Sequence, residues 1–198
     1  MLKMGKQKYL IKVRELFRKS PVVNYNSIGL IIKDKKNIKQ YTKQLIRNLI
    51  LKGRIRILAK GYYTKYNDNS LSVFAFKPSY LGLQDSLSFH NLWEQETIPI
   101  IITSKKVRPG IRKILNSNVL IRRLDKKYLF GFNYYKQGKF YLPYSDIEKT
   151  FIDIIYFKEK INNEVLDNIK KKINKNKLNS YLKFYPKRFK KLVLKRLN

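Results

Sequence analysis

Apolar and charged residues alternate strictly along a short stretch of the chain. Ile55 and Ile57 occupy every second position, with Arg54 and Arg56 beside them. A period of two is typical of a strand with one buried face, so we expect both isoleucines to point inward and both arginines to point outward. Gly61 follows at a turn, where a positive φ costs glycine little. The pattern predicts a small, basic β-hairpin.

The residues before this hairpin have helical periodicity. A first helix is expected to end at Ser20-Pro21, because proline disfavours helix in the preceding residue. A second, short helix is expected to be capped by Asn24 or Asn26, and a third to run from its cap Asn37 to about Lys52. Its buried face is predicted to contain Ile38, Tyr41, Leu45, Leu49 and Ile50. Three helices followed by a hairpin is the order of a winged helix-turn-helix.

The rest of the chain mixes both periodicities. Strands are predicted at 70–76, 98–104, 118–124, 127–135 and 139–143. Helices are predicted at 81–93, at 144–157 with Ser145 as its cap, and as two or three amphipathic segments near the C-terminus, with Pro186 separating the last two. We therefore predict an α+β protein: an N-terminal winged helix-turn-helix (1–68), then a mixed α+β domain (69–198) with a helical C-terminal tail from about residue 158.

Charge makes the picture more specific. The 198 residues carry a formal net charge of +32. Residues 1–66 hold 18 Lys and Arg against 2 acidic residues, and residues 158–198 hold 14 against 3. Lysines used only for solubility are one explanation, but solubility rarely needs so large a charge. The charge favours a polyanionic partner, with nucleic acid first and an acidic membrane surface second.

Several function classes lack the residues they need. The chain has no cysteine and a single histidine, so thiolate or histidine metal sites and a Ser-His triad are hard to build. The glycines match neither common phosphate-loop pattern. There is no apolar run of about 18 residues and no signal-peptide core. We expect a cytoplasmic protein without a cofactor or metal, not acting as an enzyme.

The predicted third helix carries a polar stripe opposite its apolar one. Helices of this motif enter the major groove, where Lys and Arg bond guanine and Gln pairs with adenine, and the N-terminal half reaches the bases. Arg47 is expected to hold phosphate, and the hairpin to grip the backbone. A solvated helix face is the alternative for any single lysine. The candidate DNA-binding residues are Lys39, Gln40, Thr42, Lys43, Gln44, Arg47, Arg54, Arg56, Lys60 and Tyr62.

Two other interpretations were weighed against DNA binding. Asp146, Glu148 and Asp153 could suggest a divalent-metal site, but salt bridges with lysines or compensation of the helix start explain them more simply. His90 lies between apolar residues and is expected to be packed and hydrogen-bonded. The basic, aromatic segment 184–198 could lie on a membrane. We expect instead that it docks on its own domain, with a second nucleic-acid contact as the next option.

Three blocks of sequence resemble a known family. The first, within 80–106, includes Tyr80, Leu83, Ser86, Leu87, Ser88, Phe89, His90, Leu92, Pro99 and Thr103. The second, within 145–157, includes Glu148, Lys149, Asp153 and Tyr156. The third is the helix end and hairpin, "LILKGRIRILAKGYYTK". In this order and spacing they resemble the AbiEi-type antitoxins, although Asp85 and Asn91 replace the family's commoner residues.

The resemblance implies a repressor of its own type IV toxin–antitoxin operon. Its first partner would be operator DNA, with a dimer on inverted repeats as an option. Its functional partner would be a nucleotidyltransferase-like toxin, which the antitoxin opposes without needing direct contact. The leading alternative is an architectural protein that binds nucleic acid regardless of sequence. An enzyme acting on nucleic acid is a third class, and it would depend on Asp146 or Asp153.

Overall fold

The computed structural model describes residues 4–197 and is of the mixed α+β class, as predicted. The chain forms two compact units. The first runs to Ala75 and includes Lys113–Ser117, and the second comprises Phe76–Arg112 and the chain from Asn118 onward. Within the described part of the chain, no helix has both the length and the apolar character needed to cross a membrane.

The first unit has the topology of a winged helix-turn-helix. Its helices are α1 (Met4–Lys19), α2 (Tyr25–Ile31) and α3 (Ile38–Leu51). Its strands β1 (Val23–Asn24), β2 (Arg56–Ala59) and β3 (Tyr62–Thr64) form an antiparallel sheet in the order β1-β3-β2. The predicted order of three helices and a hairpin is therefore confirmed. Its core comprises Tyr9, Val13, Phe17, Val23, Ile28, Ile32, Ile46, Leu49, Ile55 and Tyr63.

Local side chains define the helix starts only in part. Asn24 caps α2, because its side-chain oxygen accepts the backbone N–H of Ser27 at 2.8 Å. Asn37 occupies the cap position of α3 but makes no side-chain capping bond, so only its placement was predicted correctly. Gly53 ends α3 with a φ of +63°.

Two details of the predicted pattern were wrong. Ile57 is 51% exposed, and a bulge between Ile57 and Ala59 accompanies the burial of Leu58 in its place. Ile38 is also exposed, and Ile46, which was not expected in the core, is buried in α3. A single extra residue in a strand reverses the face of every later side chain, which is why strict alternation failed here.

A mixed six-stranded sheet in the order β6-β7-β5-β4-β9-β8 lies mostly in the second unit. The strands are β4 (Ser79–Leu81), β5 (Ile100–Thr103), β6 (Gly110–Ile114), β7 (Ser117–Arg123), β8 (Phe132–Gln137) and β9 (Phe140–Ser145). β5 and β7 are parallel, as are β4 and β9, whereas β4/β5 and β8/β9 are antiparallel. The helices are α4 (Leu83–Phe89), α5 (Ile147–Tyr156), α6 (Asn163–Lys172), α7 (Lys175–Leu182) and α8 (Lys187–Leu197).

Most elements predicted after residue 68 are present, with four corrections. Residues 70–76 lie in a 3-10 helix, Asn69–Phe76, rather than a strand, and its start is held by the Asp68 side chain accepting the backbone N–H of Ser70. Strands β4 and β6 were not predicted. Asp146, not Ser145, caps α5. The C-terminal region forms three helices, with Pro186 between α7 and α8 as predicted.

Candidate nucleic-acid interface

Helix α3 presents one continuous polar face to solvent. Lys39, Gln40, Lys43, Gln44 and Arg47 are all exposed, as the sequence predicted. On the opposite face Ile46 and Leu49 enter the core of the first unit. Burial of that face fixes the rotation of the helix, so its long polar side chains point away from the core.

Thr42 must be removed from the candidate set. It is fully buried, and its hydroxyl donates to the backbone carbonyl of Ile38 at 2.7 Å. Its side chain faces Gly29 of α2, which has no Cβ to separate the two helices. A small residue that hydrogen-bonds its own helix is suited to this helix–helix contact and cannot reach a base.

The hairpin of β2 and β3, together with residues 52–55 that join it to α3, is called here the wing. The N–H of Arg54 donates to Leu49 O at 2.9 Å, closing the helix end. Arg54, Arg56 and Lys60 are exposed, as predicted, and Tyr62 is half-buried. One Arg56 nitrogen donates to Lys65 O across the hairpin at 3.3 Å, which orients the guanidinium and leaves its other donors for a ligand.

A residue that sequence reasoning missed connects α3 to the wing. The backbone N–H of Tyr25 donates to Gly61 O in the wing turn at 2.8 Å. Its hydroxyl donates to Lys39 O in the first turn of α3 at 3.0 Å. Gly61 has a φ of +79° and its position approaches the Tyr25 side chain. The first turn of α3 and the turn of the wing are thus both held to one residue.

The whole surface is electropositive. Residues 35–67, which include α3 and the wing, contain ten Lys and Arg and no Asp or Glu. The only acidic residues earlier in the chain are Glu15 and Asp34. Since no carboxylate of this segment competes for the cations, they are available to an external anion.

The acidic residues of the second unit have structural partners instead. Asp146 caps α5 and accepts the Tyr181 hydroxyl at 2.7 Å. The Lys177 ammonium lies 3.0 Å from Asp146 and 3.1 Å from Glu148. Burial, followed by the hydrogen bond to Asp146, raises the pKa of Tyr181. Both predicted explanations, salt bridges and helix-start compensation, are confirmed for these carboxylates.

A buried ion pair occupies the centre of this unit. Lys149 and Asp153, one helical turn apart on α5, pair with no exposure to solvent. The Tyr80 hydroxyl donates to the other Asp153 oxygen at 2.6 Å, and the Lys149 ammonium donates to the Tyr185 hydroxyl at 3.3 Å. Burial raises the pKa of Asp153 and lowers the pKa of Lys149, while their attraction opposes both shifts. Full enclosure makes this a structural cluster rather than a substrate site.

Positions that carried the family resemblance meet around this cluster. Tyr80, from the first block, bonds Asp153, from the second. Ser86, also from the first block, donates to the carbonyl of Ser145 at 2.8 Å. His90 lies 2.8 Å from the same carbonyl through Nε2, so the packed, hydrogen-bonded histidine is confirmed. Tyr80, Ser86, His90 and Asp153 therefore each make a hydrogen bond within the second unit.

The C-terminal helix is docked, as expected. Val193 of α8 is fully buried, and Phe189, Leu194 and Leu197 pack against the same core.

Neither a family model nor a curated protein matches this chain. Among solved structures, the chain is similar to the crystal structure of the RV2827C protein from Mycobacterium tuberculosis, with a TM-score of 0.59. The match covers 93% of this chain and 74% of that one at 14% sequence identity. At this identity the similarity shows a shared fold and nothing of function.

Proposed function

We propose that the protein binds duplex DNA sequence-specifically through α3 and the wing, and represses transcription at its own promoter. The observation that carries the proposal is the link made by Tyr25. It holds the first turn of α3 and the wing turn together within residues 35–67, a segment with ten Lys and Arg and no Asp or Glu. A duplex offers a groove and two phosphate backbones to such a surface.

Each exposed side chain has a role in this proposal. The N-terminal half of α3 enters the major groove, where Lys39 and Lys43 bond guanine edges and Gln40 pairs with adenine. Gln44 supports the same readout further along the helix, and Arg47 holds phosphate. The wing grips the neighbouring backbone through Arg54, Arg56, Lys60 and Tyr62.

The resemblance to AbiEi-type antitoxins extends the proposal to the operon. The repressed genes would include a nucleotidyltransferase-like toxin, which the second unit opposes without needing a stable complex. A dimer on inverted repeats would place two α3 helices in successive major grooves. Bases read by α3 and phosphates held by the wing would then be repeated in each half-site.

A second candidate function is supported by the charge of the C-terminal region. Residues 158–198, which are distant from α3 along the chain, add 14 Lys and Arg against 3 acidic residues. An architectural protein that coats nucleic acid would use this charge with no base readout. It would bind random duplex nearly as tightly as any promoter.

Substitutions on α3 distinguish the two functions. We expect Gln40→Ala to weaken binding to the protein's own upstream DNA about fivefold to a hundredfold, the range of one lost bidentate base contact, and to leave random duplex unaffected. Arg47→Ala is the matched control, because a lost phosphate contact weakens both duplexes alike. Equal loss on both duplexes in the Gln40→Ala variant would contradict base readout.

A further inference from the structure

The β8–β9 hairpin is a rigid edge of the second unit that the proposed function does not use. Its strands pair from Phe132↔Ser145 to Gln137↔Phe140, and Gly138 and Lys139 form a two-residue turn. Gly138 has a φ of +57°, which such turns require. Strand β8 is the last strand in the order of the sheet.

Two exposed tyrosines share one face of this hairpin. Tyr134 lies opposite Pro143, and Lys136 lies opposite Tyr141, so all four side chains leave the same face. Tyr134 and Tyr141 are diagonal neighbours across the two strands on this face. Their exposed fractions are 52% and 63%. We call Tyr134, Lys136 and Tyr141 the tyrosine patch.

Packing behind the hairpin holds the patch in place. Phe132 of the same face stacks on buried Tyr80, with ring centroids 5.1 Å apart. On the other face, Tyr135 packs against Phe89 at 5.0 Å. Because both faces of the hairpin are anchored at its base, the rings near its tip need little further ordering when a ligand binds.

The charge of the hairpin suits an anion. Residues 132–145 contain two lysines, Lys136 and Lys139, and no acidic residue. Lys136 lies within the patch and Lys139 in the turn beside it, and both are exposed. Flat aromatic rings with cations alongside match a strand of unpaired bases on a phosphate backbone.

We propose that the tyrosine patch binds single-stranded DNA, with unpaired bases stacking on Tyr134 and Tyr141 and phosphates held by Lys136 and Lys139. A duplex hides its base faces, so this surface is suited to a strand that has been opened. Stacking and phosphate contacts need no ribose 2′-hydroxyl, so deoxyribose satisfies the site. The inference is independent of duplex binding by the winged helix.

The test uses the full-length protein and a fluorescent oligo(dT) of about 16 nucleotides, the upper end of known site sizes for such surfaces. We expect Tyr134→Ala and Tyr141→Ala each to weaken binding about fivefold to a hundredfold, as for a lost stacking partner. Both tyrosines are exposed, so neither change should affect folding. Tyr134→Phe and Tyr141→Phe are matched controls that keep the ring, and they should bind as wild type does.

Two further probes separate stacking from charge. An abasic oligonucleotide of the same length keeps the phosphates, and its weaker binding should not respond to the alanine variants. Random duplex should bind the alanine variants and wild type alike, whereas Arg54→Ala/Arg56→Ala should weaken it. Alanine variants that bind oligo(dT) normally, or phenylalanine variants that lose as much as alanine, would overturn the proposal. Oligo(U) bound more than about tenfold tighter than oligo(dT) would overturn the assignment to DNA.

Discussion

The wing arginines provide a quantitative test of how the protein holds duplex DNA. Arg54 and Arg56 are exposed on the wing, and Arg56 uses one nitrogen to bond Lys65 O. We expect each to neutralise one phosphate, because each carries one charge. Arg54→Ala/Arg56→Ala should therefore weaken upstream and random duplex DNA alike, without changing the preference between them.

The size of the effect follows from counterion release. Each phosphate contact contributes about 0.9 to the slope of log affinity against log salt, so the double variant should lose up to about two units of slope. Between about 50 and 200 mM salt, the ratio of wild-type to variant affinity should then shrink about twelvefold. At high salt the variant should approach the wild type.

Fluorescence anisotropy with labelled duplexes across this salt range measures both slopes. Arg54→Lys/Arg56→Lys is the matched control, because it keeps both charges and should keep the wild-type slope. Neither arginine belongs to the core, so thermal unfolding should be nearly unchanged. An alanine variant with the wild-type salt slope would refute phosphate binding by the wing.

Three other predictions concern single contacts. Tyr25→Phe removes only the hydroxyl that bonds Lys39 O. Fluorescence anisotropy should then show that the variant binds upstream DNA about twofold to tenfold more weakly, with an unchanged salt slope. Unchanged affinity would contradict the Tyr25 link. Asp153→Asn leaves the Lys149 charge buried and unpaired, so urea unfolding should show that the free energy of unfolding falls by about 3–5 kcal/mol. The double variant Lys149→Met/Asp153→Leu removes both charges and should lose less stability. A double variant less stable than the single would contradict this. Burial raises the pKa of Tyr80, Tyr181 and Tyr185 in the folded state. Above about pH 10 the unfolded state therefore loses protons that the folded state keeps, and the free energy of unfolding should fall as the pH rises. Tyr181→Phe should make that fall shallower, and an identical pH profile would count against it.

The sequence predicted much of the first unit because its signals are local. Asn24 caps α2, Pro21 follows the end of α1, and Gly61 takes the positive φ of the wing turn. Alternation then failed in β2, where the bulge after Ile57 depends on how the strand pairs with β3 rather than on its own sequence.

The candidate site was predictable as a set of charges but not as a geometry. Lys39, Gln40 and Lys43 were placed correctly on the exposed face of α3. Thr42 was misplaced, because helical period alone does not show that a threonine faces Gly29 of a neighbouring helix. Tyr25 was missed for a similar reason, since both of its bonds reach residues distant in sequence.

The second unit shows where sequence patterns mislead about burial. Lys149 reads as a surface residue, yet it is fully buried beside Asp153. The spacing of Lys149 and Asp153, four residues apart in α5, was the available signal for a pair on one face. Tyr80 and Tyr185, which bond this pair, come from segments distant in sequence. Their positions beside the pair are therefore visible only in the folded structure.

The central claim is sequence-specific duplex binding, and titration against the protein's own upstream DNA tests it most directly. Labelled upstream duplex and a scrambled duplex of equal length would be titrated across about 50 to 300 mM salt, where phosphate contacts weaken markedly. The account predicts that upstream DNA is preferred about a thousandfold or more, within the range of specific readers. Equal affinity for both duplexes would contradict operator recognition and leave a protein that binds DNA by charge alone.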